Sequence, residues 1–179
     1  IAAGLYYLAH TTFAAAALFL LTDLISRSRG NLGDRLTAGP EMPRAHVLGG
    51  LFMVIAVTVA GIPPLSGFFG KLFILQSSVD TPWLTWTFAV LLTTSLLTIM
   101  ALARSGSRLF FKVGEPTPGT ATITTVDLTG PILLVATGIA LVLFAEPVYQ
   151  YTNLAAAQLV TPEAYIEAVL MPGNAGVTQ

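Results

Sequence analysis

Two adjacent prolines and a lysine interrupt a long apolar stretch that covers about residues 47–75 of this sequence. Pro63 and Pro64 lack a backbone donor, and a residue before proline is pushed out of the α region, so a regular helix cannot pass through them. Lys71 adds a charge about two turns later. In hydrocarbon, a broken backbone and a charge are tolerated mainly where they face protein or water. The pattern therefore predicts a helix broken at membrane depth inside a bundle.

The composition indicates an all-α integral membrane protein. Hydrophobic residues make up 54% of the chain and charged residues 9%, with a mean hydropathy of +0.77; a soluble domain has about one quarter charged residues. The net charge of −1 gives no attraction for nucleic acid. Because the chain has no cysteine, disulfides, thiolate metal sites and iron–sulfur ligation are excluded within it. It begins with isoleucine and without a signal-peptide pattern, so we expect a piece of a longer protein.

Apolar runs separated by polar connections predict a bundle of four transmembrane helices. The first run is long enough for a hydrocarbon core of about 30 Å. The second is too long for one straight crossing, so we expect two half-helices joined by the break at Pro63-Pro64. The predicted helices cover residues 2–22, 46–79, 83–103 and 130–146.

Basic residues are concentrated in two polar connections, 23–45 and 104–128. Four crossings would place both connections on the same side, which the positive-inside rule makes cytoplasmic. The turn at 80–82 and the C-terminus would then lie outside. Of the eight lysines and arginines, only Lys71 lies elsewhere; the others are Arg27, Arg29, Arg35, Arg44, Arg104, Arg108 and Lys112.

The end of the chain predicts a peripheral element. Residues 149–170 contain a Thr-Pro-Glu helix start and then place apolar residues on one side, with Glu163 and Glu167 on the other. We expect this segment outside the bundle core, as a short amphipathic helix at the membrane surface or against a partner. The predicted division is a transmembrane bundle at 1–152 and a peripheral helix and tail at 153–179.

His10 and Lys71 are the candidate proton-carrying residues. His10 shares a helical stripe with the tyrosines one turn earlier, Tyr6 and Tyr7, and this stripe should face the bundle. A histidine titrates near neutral pH and can carry a proton; the alternative is a neutral histidine that only joins helices by a hydrogen bond. For Lys71 the alternatives are a functional intramembrane lysine and a side chain that snorkels to the outer interface.

Tyr7 on the first helix and threonines on the third are candidates for lining a proton path. Thr94 and Thr98 lie one turn apart on one face. Alternatively, their hydroxyls bond back to their own helix and ease close packing. Gly67, near the break, is explained by close helix contact. The sequence contains no phosphate-binding glycine loop, no histidine pair at metal spacing and no catalytic triad, so we predict neither an enzyme nor a cofactor or metal site.

The region 61–75, with Pro-Pro-Leu-Ser-Gly at 63–67 followed by Lys71, resembles the broken-helix signature of the antiporter-like membrane proteins. This family is shared by Mrp cation/proton antiporters and the proton-pumping membrane subunits of respiratory complex I. Residues 6–21 are similar to the preceding helix of that family, and 23–30 most resemble the D-type polypeptide of the Mrp antiporters. The resemblance covers about residues 1–150 and corresponds to the last four helices of a longer family chain.

The resemblance implies roles for individual residues. Lys71 corresponds to the lysine that closes the proton path on the outer side, and His10 to the relay histidine of the neighbouring helix. The helix break would comprise Pro63, Pro64, Ser66 and Gly67. Some family members carry a further lysine one turn after the histidine; Ala14 stands there, which implies a shorter or water-filled relay. The family's glutamate and central lysine belong to earlier helices.

The predicted function is a subunit of a multisubunit monovalent cation/proton antiporter in the bacterial inner membrane. Its partners would be the other subunits of that complex, the lipid bilayer, protons and either Na⁺ or K⁺. One alternative is a proton-pumping membrane subunit of a complex I-like NADH:quinone oxidoreductase. Another is a structural membrane scaffold, in which Lys71 snorkels and His10 only joins helices.

Overall fold

The computed structural model describes residues 1–39, 42–111, 122–161 and Ile166, and within these ranges the chain is helical. A 3₁₀ turn at Gly30–Leu32 follows the first helix, and a π-helical segment at Ser107–Phe111 continues the fourth. The α-helices of the described ranges are α1 (Ala2–Ser28), α2 (Ala45–Ala60), α3 (Ser66–Ser78), α4 (Leu84–Gly106), α5 (Thr125–Leu143) and α6 (Ala145–Val160).

Helix α1 is the central element, because it contacts α2, α3, α5 and α6. Its inward face packs apolar side chains against α2 and α5. Helix α4 contacts α2 and α3 at the edge of the bundle and leaves most of its large apolar side chains exposed. Side chains from α1, α2 and α5 form the main hydrophobic core, which includes Leu21, Leu24, Leu48, Phe52, Ile55 and Leu128.

Several helices have the length and composition of membrane spans, and the chain is a multi-pass membrane protein. They are α1, α4 with its π-helical extension, and α5. Helix α2 is apolar but shorter. A membrane environment also accounts for the exposed apolar surface of α4, since lipid tails cover such a surface without cost.

The chain leaves the helical conformation between α2 and α3, around the two prolines. Gly61 ends α2 in the left-handed region, with φ of +74°, where a glycine has no Cβ penalty. Its amide donates to the carbonyls of Val57 and Thr58. Pro63 and Pro64 are exposed, whereas Ser66, the first residue of α3, is fully buried.

Some helices extend further than the apolar runs predicted. Helix α1 continues to Ser28, and beyond the apolar run it buries Leu24 and Ile25 in the core. On its exposed side Asp23 and Arg27, one turn apart, form a 2.9 Å ion pair. Helix α5 starts five residues before the predicted 130. There the Thr124 amide donates to Asp127 Oδ2 at 2.8 Å in a capping box. Compared with the predicted ends, α1 ends after residue 22, α4 ends after 103, and α5 begins before 130 but ends at Leu143, before 146. These four predicted ends are therefore wrong, because hydropathy marks the hydrocarbon core and not the helix termini.

The ends of α1, α2 and α5 that adjoin the two basic connections lie together at one end of the bundle. Arg27 Nη1 is 3.5 Å from Asp127 Oδ1, which joins the end of α1 to the start of α5. Arg44 Nη1, just before α2, donates to Thr125 Oγ1 at 3.3 Å. Lys112, a basic residue of the predicted second connection, lies outside the described residues.

Helix α6 packs on the bundle at the opposite end. It runs continuously across residues 152 and 153 and contacts α1 and α5, burying Thr152 and Ala156. The ring of Tyr149 stacks on Phe73 with centroids 4.3 Å apart. The described part of the segment from Tyr149 is thus a helix that packs on the bundle and contributes no residue to the main hydrophobic core. The amphipathic element outside the bundle core stays a prediction for 149–170. Glu163 and Glu167 lie outside the described residues.

Candidate functional site

His10 is held inside the bundle by the first residue of α3. Its side chain is 2% exposed, and Nδ1 is hydrogen-bonded to Oγ of Ser66 at 2.9 Å. One turn earlier, the hydroxyl of Tyr6 donates to the carbonyl of Leu141 at 2.9 Å, which joins α1 to α5. The break creates the α3 terminus that His10 contacts, so a histidine on α1 and a serine 56 positions later form one buried polar pair.

Lys71 lies on α3 and reaches back to the end of α2. Its ammonium donates to the carbonyl of Ala60 at 2.6 Å and to Ser95 Oγ, on α4, at 2.6 Å. The carbonyls in the last turn of a helix lack intrahelical partners and carry the negative end of the helix dipole. The end of α2 at the break therefore provides a favourable position for a cation inside the bundle.

Two glycines fill the space between the histidine and the lysine. A Cβ added at Gly67 would lie 3.0 Å from His10 Nε2 and 3.0 Å from the Cα of Gly61. A Cβ added at Gly61 would lie 2.7 Å from Lys71 Nζ. The His10 and Lys71 side chains thus approach the same short piece of backbone from two sides, and only glycines leave room for both.

A small cavity adjoins His10 on the α1, α2 and α5 side. Its volume is about 10 Å³, and its polar lining comes from His10, Thr58 and Ser66, with Ala14 and Gly138 among the apolar positions. About one water probe sphere fits this volume, and a buried water needs two to four polar partners. The cavity therefore has the size and polarity of a single water site next to the histidine.

The structure does not bring all predicted path residues to this site. Tyr7 is half-buried, with its ring 5.7 Å from that of His10. Thr94 is exposed and donates to the carbonyl of Val90 at 2.8 Å, and Thr98 donates to that of Thr94 at 2.7 Å. The hydroxyls of Thr94 and Thr98 therefore bond within their own helix, which is the alternative to lining a proton path given in the sequence analysis. Within the ranges that the structure describes, no three His, Cys, Asp or Glu side chains cluster as a metal site would require.

Ser95 was not predicted, although it makes the side-chain contact with Lys71. It follows Thr94 directly and points to a different side of α4, donating to the Leu91 carbonyl at 2.6 Å while it accepts from the lysine. A serine beside several threonines on an apolar helix gives no local signal. Its role depends on how α4 packs against α3.

Comparison with known proteins identifies the family of this chain. Residues 1–98, which contain α1, the break, Lys71 and Ser95, match the family described as NADH:quinone oxidoreductase/Mrp antiporter, TM. The chain belongs to this family. The family resemblance noted in the sequence is thereby confirmed, and the matched region includes the polar groups around the break.

Curated relatives are named as antiporter subunits of the D type. The chain is 36% identical, over 95% of its length, to the D-type Na(+)/H(+) antiporter polypeptide of Alkalihalophilus pseudofirmus. It is 30% identical, over 98% of its length, to the probable K(+)/H(+) antiporter polypeptide of the same type from Rhizobium meliloti. A more distant relative, 28% identical over 85% of the chain, is the N-type polypeptide of the NADH-quinone oxidoreductase of Desulforamulus reducens.

The chain is much shorter than these relatives. It covers 34% of the Alkalihalophilus protein, 38% of the Rhizobium protein and 31% of the Desulforamulus protein. The residues discussed above therefore form one part of a larger family architecture.

Proposed function

We propose that this chain is part of a D-type polypeptide of a multisubunit monovalent cation/proton antiporter and carries one section of its proton path. The observation that carries the proposal is the position of Lys71, whose ammonium is bound by the free carbonyl end of α2 and by Ser95. The names of the relatives at 30–36% identity support the same assignment.

In the proposed path, the helix break serves both titratable residues. Lys71 is the last proton-carrying group, stabilised when charged by the end of α2. His10 relays protons through Ser66 and a water in the small cavity beside Ala14. The close glycine contacts bring the two groups to one section of backbone. The coupled cation, Na⁺ or K⁺, would bind in another part of the complete protein.

We also propose that α2 and α3 together make one membrane crossing. At about 1.5 Å per residue, α2 is about 24 Å long and α3 about 20 Å, and neither alone spans a core of about 30 Å. Four crossings result, formed by α1, the α2–α3 pair, α4 and α5. With the basic connections on the cytoplasmic side of a bacterial inner membrane, α6 would lie at the outer face.

The test of this function is cation-driven pH change in membrane vesicles that contain the full-length protein with its complex. We expect addition of Na⁺ or K⁺ to dissipate an imposed pH gradient, and the preferred ion identifies the coupled cation. Absence of a response to either ion would contradict the antiporter assignment.

A second candidate is a proton-pumping subunit of a quinone-reducing complex, which the 28% identical oxidoreductase relative favours. It would use the same lysine and histidine. Affinity purification of the full-length protein distinguishes the two. Small membrane subunits of the antiporter type would support the first candidate, whereas flavin and iron–sulfur subunits would support the second. If transport is unchanged after Lys71 and His10 are both replaced, the remaining explanation is that the chain is a structural scaffold.

Ser95→Ala should lower the initial transport rate about tenfold. The serine hydroxyl binds the Lys71 ammonium, and a hydrogen bond to a charged group contributes about 1.5–3 kcal/mol, where about 1.36 kcal/mol corresponds to a factor of ten in rate. Thr94→Val is the matched control, because this neighbouring hydroxyl is exposed and bonds only within its own helix. Equal rates for the two variants in the vesicle assay would show that Ser95 does not act on the lysine.

A further inference from the structure

We propose that an anionic phospholipid binds in the groove between α2 and α4, with one acyl chain along the groove and its phosphate at Arg104 and Arg108. The cavity has a volume of about 340 Å³ and lies away from the His10 side of the bundle. Neither the proposed proton path nor the helix packing requires a space of this size.

The walls of the groove are apolar and smooth. Helix α2 contributes Phe52, Ala56 and Ala60, and α4 contributes Gly106. A Cβ at Gly106 would lie 2.8 Å from the Phe52 ring, so this glycine lets the two helices approach closely. Phe110, in the π-helical segment, packs on Phe52 with ring centroids 5.6 Å apart. Apolar side chains of different sizes thus line the channel, and aromatic rings lie at the end near Gly106.

The length of the groove matches one leaflet of a bilayer. From Gly49 to Ala60 it follows α2 over about 16 Å at about 1.5 Å per residue. Half of a hydrocarbon core of about 30 Å is about 15 Å. In the crossing proposed above for α2 and α3, the groove extends from the level of the headgroups to the bilayer midplane, which is the depth that one acyl chain occupies.

Charge at the mouth of the groove selects an anionic lipid. Ala103 and Ser107 line both the groove and the shallow depression that contains Arg104 and Arg108. These two arginines are exposed and four residues apart, so their side chains lie on the same side. In the described part of the chain, Arg27 forms ion pairs, whereas Arg104 and Arg108 form none. Basic pockets between membrane helices on the cytoplasmic side are typical binding sites for anionic lipid headgroups.

The inner end of the groove reaches the lysine site. Ala60 lines the groove, and its carbonyl accepts the Lys71 hydrogen bond. An acyl chain in the groove would cover this seam between α2 and α4. The lipid would therefore exclude water on the side of the lysine that faces away from the relay histidine.

Native mass spectrometry of the assembled full-length complex tests this site. Dioleoyl phosphatidylglycerol and dioleoyl phosphatidylcholine, which share their acyl chains, are titrated onto the delipidated complex. The double variant Arg104→Gln/Arg108→Gln should bind phosphatidylglycerol about thirtyfold more weakly than the wild type. Phosphatidylcholine, whose choline group offsets the charge of its phosphate, should lose much less affinity. Arg35→Gln, which removes an exposed arginine from the other basic connection, is the matched control and should bind like the wild type.

A second variant tests the groove itself. Ala103→Trp adds bulk at an exposed groove position, so it should weaken binding of both lipids without disturbing the core. Wild-type phosphatidylglycerol affinity in the double arginine variant or in Ala103→Trp would overturn the proposal. Equal affinity of the wild-type complex for the two lipids would also overturn it. Crosslinking of a photoreactive residue at position 103 to polypeptide and not to lipid would likewise overturn the proposal.

Discussion

Lys71→Ala is expected to abolish cation-coupled proton movement in vesicles while the complex still assembles. The substitution removes the ammonium that binds the Ala60 carbonyl and Ser95 Oγ. Lys71 is half-buried and not part of the main hydrophobic core, so little packing is lost. The measurement is the initial rate of pH change after addition of Na⁺ or K⁺, with the amount of assembled complex determined in the same membranes.

Two further variants define what the lysine does. Lys71→Arg should also fail, because a guanidinium keeps its proton and cannot release it within a transport cycle. His10→Ala should slow transport less, since water in the adjoining cavity can replace part of a relay. Wild-type rates in both Lys71 variants would contradict the proposed role and leave snorkelling as the better explanation of this lysine.

Gly67→Ala is expected to prevent the native packing of the helix break and to abolish assembly of the complex. The added Cβ would overlap the Thr58 carbonyl oxygen, which is backbone and cannot rotate away. It would also press on His10 Nε2, at 3.0 Å. Overpacking in a well-packed interior costs about 1–3 kcal/mol, occasionally more, and this contact is closer than real Cβ atoms allow.

The matched control is Gly50→Ala, the same substitution in α2. A Cβ at Gly50 meets no atom within 4 Å, and alanine favours a helix more than glycine does. We therefore expect Gly50→Ala to assemble at wild-type levels with an equal or higher thermal midpoint. Yield and unfolding temperature of the detergent-solubilised complex are measured for both variants. Equal values for the two would show that the close contact at Gly67 does not limit folding.

The helix break links the fold to the proposed proton path. A continuous helix at 45–78 would satisfy its own carbonyls in this region and offer Lys71 no free acceptor. The interruption leaves the Ala60 carbonyl unpaired within α2 and starts α3 with the buried Ser66. Each new helix end then binds one titratable side chain. Proline positions in the sequence therefore determine where a charge is stabilised inside the bundle.

Much of the candidate site could be predicted from the sequence because its signals are local. Pro63 and Pro64 prevent regular helix bonding wherever they occur, and Lys71 in an apolar run requires a polar environment. The composition by itself indicated the membrane class. Helix boundaries were less accurate, since a capping box starts α5 at Thr124 and α1 buries Leu24 and Ile25 beyond its predicted end.

The partners of these residues were decided only by the tertiary structure. The sequence could not show that Lys71 contacts Ser95, 24 positions away, and not the neighbouring Thr94. The sequence also gave no sign that α6 packs on α1, or that an apolar groove leads from Ala103 to Ala60. Local bonding rules act within a few residues along the chain. The side of a helix that meets another helix depends on the packing of the whole bundle, which no single segment encodes.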